Sequence, residues 1–245
     1  MLKKLYEKSR LIFSIVWIVS YCILFSVGDA ISASLGIEKI VTFVIGVLLS
    51  VVLLLFLKRN GLFREYGLCR SIASARSMLY YLPLIFILTV NIWFGIQMNY
   101  TVPETLFYIG SMLCVGFLEE IIFRGLLFNA MRGENPRLAV VISSLTFGIG
   151  HIINLVNGSG ADFFANLLQV IYATAAGFMF VMIYIKTESL VTCIAFHGCF
   201  NALSAFSVTP DSLAEKLLPS AALTVVSILY AIYIAKAIRG RKIEK

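Results

Sequence analysis

Residues 105–130, TLFYIGSMLCVGFLEEIIFRGLLFNA, decide the fold. The run is apolar from end to end and exceeds the roughly 20 helical residues that cross about 30 Å of hydrocarbon. A helix apolar on every side is buried or spans a membrane. This one nevertheless carries Glu119, Glu120 and Arg124 near its middle. Ionisable side chains inside a bilayer cost a few kcal/mol each even on the lenient insertion scale, which makes them functional candidates by default.

The rest of the chain agrees with a membrane reading. It is 60% hydrophobic and 13% charged, with a mean hydropathy of +0.94, and these values exclude an ordinary soluble domain. Apolar runs of spanning length lie at approximately 11–29, 39–57, 78–97, 105–130, 137–157, 163–185, 189–208 and 213–237. The expected fold is therefore all-α: a polytopic transmembrane bundle of about eight helices, forming one integral membrane domain over 1–245 with a motif-bearing core at 105–208. Lys3, Lys4, Lys8 and Arg10 precede a first run too long for a signal peptide, so it is read as a retained helix.

Charge placement sets the orientation, because cytoplasmic loops hold the excess of Lys and Arg. Alternate segments collect Lys3 to Arg10, then Lys58 to Arg76, then Arg132 and Arg137, then Lys186, then Lys236 to Lys245. The opposite side keeps only Lys39 and Lys216. Both termini are expected in the cytoplasm, and the net charge of +7 reflects topology and anionic lipid rather than a nucleic-acid surface. The five cysteines form no CxxC and fall mostly within helices, which argues against a disulfide framework. Between the second and third spans, Lys58 to Arg76 reads as the main soluble excursion, and no internal repeat is visible.

Three polar constellations stand out. Adjacent helical residues point about 100° apart, so Glu119 and Glu120 must face different surroundings. Glu120 and Arg124 are one turn apart in the favourable acid-first order, which leaves Glu119 as the unpaired carboxylate suited to general-base chemistry. Phe147 and His151 are one turn apart on the fifth expected helix, and His197 and Asn201 on the seventh, with Cys193 one turn before His197. Counted at 1.5 Å per residue from the cytoplasmic ends, Glu119 lies roughly 17 Å deep, His151 roughly 21 Å and His197 roughly 12 Å. The three can meet between the midplane and the cytoplasmic side, with access expected from the cytosol or laterally from lipid. Each element also has a structural reading. A membrane histidine can simply bond a neighbouring helix, Glu120 with Arg124 can be a clamp, Phe147 and Cys193 can be packing, and Asn201 can be interhelical glue. The two histidines of this chain share that depth range with a buried carboxylate pair, which favours a site.

Taken together these motifs resemble the CPBP family, the CAAX proteases and bacteriocin-processing enzymes also called Abi. Glu119-Glu120-Ile-Ile-Phe-Arg124 matches EExxxR, Phe147-Gly-Ile-Gly-His151 matches FxxxH, and His197-Gly-Cys-Phe-Asn201 matches HxxxN. The resemblance covers roughly Gly110 to Leu203 and no motif position departs from it. It implies an integral membrane endopeptidase of a bacterial plasma membrane, acting on membrane-associated or lipidated protein or peptide substrates. Glu119 and His151 would activate a water, His197 and Asn201 would steady the oxyanion, and Glu120 and Arg124 would orient them. Family members are often labelled metalloproteases, and Glu119, His151 and His197 are the candidate ligands should zinc be bound; the spacing is not HExxH, however, and the resemblance also supports a metal-free mechanism that depends on the glutamate, so no tightly bound metal is expected. A non-proteolytic scaffold or bacteriocin-immunity protein of the same family, and an ion or metal transporter, are the rival readings. Against transport stands the lack of repeated or paired broken helices.

Overall fold

The computed structural model describes residues 2–155, 162–209 and 212–243, with side chains to 238. The last two positions of the fifth expected span, and the basic residues Arg239, Arg241, Lys242 and Lys245 as side chains, lie outside what is described. The described residues form helices α1 (Leu2–Lys8), α2 (Arg10–Leu35), α3 (Ile40–Arg59), α4 (Leu82–Thr89), α5 (Val102–Glu119), α6 (Asn129–Arg132), α7 (Pro136–Gly150), α8 (Phe163–Thr187), α9 (Val191–Leu203) and α10 (Leu213–Ile243). Between α5 and α6 the helix continues without a break as a π-helix over Glu120–Phe128. Among the described residues six segments are long and apolar enough to cross a membrane: Arg10–Leu35, Ile40–Arg59, Val102–Arg132, Pro136–Leu155, Phe163–Thr187 and Leu213–Ile238. The third and seventh expected spans are helical but shorter, at Arg76–Ile92 and Val191–Phe206.

Local signals explain the boundaries. Ser9 accepts from the Ile12 amide to open α2, which stops at Gly36 in the left-handed conformation. In α5 the Glu104 carboxylate accepts from both the amide and the hydroxyl of Thr101, and Pro103 stands in the first turn. Asn135 caps α7 and Asp162 caps α8. Large apolar side chains such as Ile23, Leu48, Leu106 and Leu229 point outward, as a lipid-facing surface requires.

The helix ends define two faces of different charge. On the basic face, α1 and the segment 62–78 fold back against the bundle. The hydroxyls of Tyr6 and Tyr66 lie 2.8 Å apart, Arg10 pairs with Glu65, and Asn129 and the Tyr184 hydroxyl both donate to the Glu65 carbonyl. The end of α8 is tied to the same segment by Ile72 N–H to Thr187 O at 2.9 Å and by Lys186 to the Ser77 carbonyl. Tyr230 and Tyr233 of α10 donate to the carbonyls of Met78 and Ser77, so the N- and C-terminal helices reach the same face. What reads in sequence as a soluble excursion is in fact a docked cover: Tyr66 and Met78 are 1% and 0% exposed. Burial and its partner Tyr6 push the Tyr66 phenol well above its ordinary pKa, so it remains a neutral hydrogen-bonding group. The cover ends in a left-handed turn at Leu79, Tyr80 and Tyr81, with φ of 51°, 51° and 58°. Such backbone costs about 1–2 kcal/mol per residue.

Gly67 is the hinge of this cover. Its φ is +74°, and a Cβ there would stand 2.7 Å from Tyr184 Cε2 and 3.0 Å from Leu190 N. Its carbonyl also accepts from Leu190 at 2.8 Å. Gly67→Ala is expected to destabilise the docked segment by about 1–3 kcal/mol through left-handed strain and collision. Limited proteolysis of the purified protein should then cut within 62–78 several-fold faster than in the wild type; an unchanged rate would show that the cover can shift without cost.

On the opposite, acidic face, the loops interlock. Glu38 N–H donates to Glu104, Gln97 N–H donates to Phe206 O at 2.9 Å, Asn99 donates to the Ser207 carbonyl, and Lys216 stands 3.9 Å from Asp162.

Candidate active site

Glu119 closes α5 and Glu120 begins the π-helix. A π-turn inside an α-helix is uncommon and found mostly at functional sites. Here it lies wholly in the interior, since every residue of Glu120–Phe128 is buried. Glu120 Oε1 accepts from Arg124 Nη1 at 3.0 Å and lies 2.9 Å from His197 Nδ1. Both members of the ion pair are 0% exposed. Burying two charges in this way is favourable only if the geometry is good and the remaining donors find partners. The rest of the guanidinium finds aromatic faces: Arg124 Cζ is 4.0 Å from the centroid of Phe147 and 5.1 Å from that of Phe180. A desolvated cation over a ring can gain about 2 kcal/mol.

Phe147 therefore has a definite task. It lies between Arg124 and the two histidines, with ring centroids 5.4 Å from His151 and 5.7 Å from His197, both edge-on. Phe180 of α8, outside the sequence motifs, stacks on His197 at 5.5 Å. The imidazole of His197 is thus fixed in plane and spans the two carboxylates, with Nδ1 at Glu120 and Nε2 3.5 Å from Glu119 Oε2. The different headings of Glu119 and Glu120 along the helix are joined by the two nitrogens of one ring.

Glu119 is not without a partner. Its Oε1 accepts from the Tyr21 hydroxyl at 2.8 Å, while Oε2 makes no closer polar contact than that with His197. Tyr21 belongs to α2, far outside the motif-bearing segment. Its signal in sequence is an aromatic stripe, Phe13, Trp17, Tyr21 and Phe25, repeating every four residues along an apolar helix, and all four are buried.

His151 follows the last residue of α7 and is pinned through its backbone carbonyl, which accepts from buried Asn166 at 2.8 Å. Glu119, His151 and Asn201 line one cavity of about 570 Å³ together with Tyr21 and Phe147. A smaller cavity of about 70 Å³, lined by His197, Phe180 and Phe196, shares His151, Asn201 and Tyr172 with it. Glu119, Phe147, His151 and Asn201 thus line the larger cavity and His197 the smaller, while Glu120 and Arg124 lie behind His197 and line neither. Cys193 sits beside them, fully buried, its thiol directed at the Phe180 carbonyl at 3.8 Å. The larger cavity runs from Glu119 toward the acidic face, not toward the basic face from which the depth reckoning expected access.

Zinc takes three protein ligands at about 2.0–2.3 Å in its hydrolytic sites. Among the described residues no group of three or more His, Cys, Asp and Glu side chains is set to hold a metal ion. Glu119, His151 and His197 as arranged do not meet that test.

Fold and site define the class: a polytopic helical membrane protein with a buried carboxylate–imidazole centre opening into a cavity of ligand size. Residues 101–203 match the family model described as type II CAAX prenyl endopeptidase Rce1-like. That segment is similar to the CAAX protease family, as the three motifs indicated, and the apolar helices make the chain an integral membrane protein. No curated protein matches the chain.

Proposed function

We propose that the protein is an intramembrane endopeptidase in which Glu119 is the general base. The observation that carries this reading is the asymmetry of the two carboxylates. Glu120 shares one oxygen between Arg124 and His197 and lines no cavity, whereas Glu119 is a cavity-lining residue with one oxygen held by Tyr21 and the other 3.5 Å from His197 Nε2. Glu119 takes a proton from a water as the water oxygen bonds to the scissile carbonyl carbon. The carbonyl π electrons move onto oxygen, and the resulting oxyanion receives hydrogen bonds from Asn201 and from a proton on His197 Nε2. Collapse of this intermediate breaks the C–N bond, and the proton first taken by Glu119 goes to the leaving amine. His151, across the same cavity, orients the water. General-base assistance is worth about 10²–10⁴ in rate and a single oxyanion donor about 10²–10³. Glu120, Arg124 and Phe147 position His197 and touch no substrate.

The test compares membrane peptides of cells carrying wild type and Glu119→Gln at equal abundance, a change that keeps shape and removes the base. Products that disappear with the variant support proteolysis and name the substrates. Identical profiles alongside a persisting knockout phenotype would instead favour a scaffold or immunity role.

Tyr21→Phe supplies a finer check. It removes the one hydrogen bond made to Glu119 Oε1 while leaving the aromatic contact with Phe25, whose ring centroid is 4.5 Å away. A hydrogen bond to a charged group is worth about 1.5–3 kcal/mol, so turnover should fall roughly tenfold or more with the thermal midpoint in detergent little changed. Turnover equal to wild type would mean that Tyr21 does not hold the reacting carboxylate.

A further inference from the structure

The cavity that starts at Glu119 extends to the acidic face. Its wall passes from Glu119 and His151 through Tyr108 and Ser204 to Asp29, Lys39 and Lys216. The last three belong to the acidic face, where Lys39 is held by Asp29 at 2.8 Å and Lys216 faces Asp162 at 3.9 Å. In the other direction the floor is solid. Glu120, Ile121, Ile122 and Arg124 are 0% exposed, and beyond them the docked cover places Tyr66 and Met78 across the basic end. No residue of the segment 58–82 lines the cavity.

The two faces are labelled by charge. Lys58, Arg59, Arg64, Arg70, Arg76, Arg132 and Arg137 lie on the closed face, and only Lys39 and Lys216 lie on the open one. Short basic segments beside membrane helices remain in the cytoplasm. We propose that the cavity is loaded from the non-cytoplasmic side and that its substrate is a segment of an exported peptide or membrane protein presented there, rather than a cytosolic tail. The two lysines at the mouth are each matched by an aspartate, and Glu38, Glu104 and Glu215 stand on the same face. The segment received is accordingly neutral or basic, since an acidic one would meet like charge where the dielectric is low. What happens to the segment once inside rests on the proteolytic reading above; the side of access does not.

Ser220 lines the cavity and spends its hydroxyl on the Lys216 carbonyl of its own helix, so Ser220→Cys is a mild reporter. Arg64→Cys reports on the exposed part of the basic face. Sealed protoplasts and inverted vesicles are treated with a small, charged, membrane-impermeant methanethiosulfonate, and modification is read by mass spectrometry at each position with the native cysteines in place. Position 220 is expected to label at least tenfold faster in protoplasts, and position 64 at least tenfold faster in inverted vesicles. Ser207→Cys, at the cavity rim, gives an independent reading if the first variant fails to accumulate. Modification at 220 or 207 from the cytoplasmic side alone overturns the proposal. In the same membranes, modification at position 220 should cut formation of Glu119-dependent products tenfold or more while modification at position 64 leaves it unchanged; products unaffected by a label at 220 would show that substrate arrives by another path, which also overturns it. If no Glu119-dependent product forms before labelling, the proteolytic reading fails, and the labelling pattern alone still decides the side of access.

Discussion

Arg124→Leu is expected to leave almost no folded protein in the membrane. The guanidinium is 0% exposed, and it is the permanent cation paired with Glu120, whose carboxylate is equally buried. Removing one partner of a buried pair strands the other charge, at a typical cost of about 3–5 kcal/mol. Two aromatic faces at 4.0 Å and 5.1 Å lose their cation as well. Against a usual folding stability of about 5–15 kcal/mol this is a large share. The measurement is the thermal midpoint and yield of detergent-purified protein. Glu120→Gln combined with Arg124→Met should restore much of the yield, because a neutral pair of similar volume removes the stranded charge, as replacements of buried ion pairs elsewhere have shown. Product formation should not return, since His197 Nδ1 then faces an amide in place of a carboxylate and the ring loses its fixed orientation. Arg124→Leu protein that accumulates and melts like wild type would show that the pair is solvated, contrary to its burial.

Much of the architecture is legible in the sequence because the membrane imposes so strong a rule on it. Hydropathy finds each of the eight helical segments, and where two are short the reason lies in their ends. The expected third helix begins with the left-handed turn at Leu79–Tyr81, and the seventh is closed early by the 3₁₀ turn Ser204–Phe206. Motif spacing also brings out Glu120 with Arg124 and Phe147 with His151, since both are contacts within one helical stretch. Contacts between distant segments are less visible. The hydroxyl of Tyr21 carries no charge and interrupts no apolar pattern, so nothing in α2 announces that it faces Glu119. Phe180 looks like any lipid-facing residue until His197 is found stacked on it. Depth counted from loop ends treats each helix as an upright rod, and it cannot tell that Tyr66 and Met78 plug one end of the bundle while the other stays open. The segment 58–76 is basic enough to read as a solvated loop, yet its few apolar and aromatic side chains are the ones that turn inward.

Gly116→Ala is expected to abolish Glu119-dependent product formation without touching any motif residue. Gly116 lies three residues before Glu119 on α5, directly against α9, the helix that carries His197 and Asn201. A Cβ at this position would stand 2.4 Å from Gly198 N, 2.6 Å from Gly198 Cα and 3.1 Å from Ile194 O. These are backbone atoms, so no side-chain rotation can relieve the collision and the two helices must separate. Close approach of this kind is what small residues provide in membrane bundles, where association depends on packing and interhelical hydrogen bonds instead of the hydrophobic effect. A shift of about 1 Å, enough to cost about a hundredfold when it misplaces a reacting group, acts here on both ends of the His197 bridge. Nε2, already 3.5 Å from Glu119, moves out of range, and the 2.9 Å contact of Nδ1 with Glu120 lengthens. The thermal midpoint should fall by several degrees while the protein still accumulates, which distinguishes this variant from Arg124→Leu. Gly198→Ala on the facing helix is the control: its Cβ would meet the flexible tip of Leu113 at 3.1 Å, with the nearest backbone atom at 3.4 Å, so it should be several-fold milder. Equal activity in Gly116→Ala and wild type would mean that α5 and α9 are not held at this distance in the membrane, and the His197 bridge between the two glutamates would then have to be abandoned as the basis of the site.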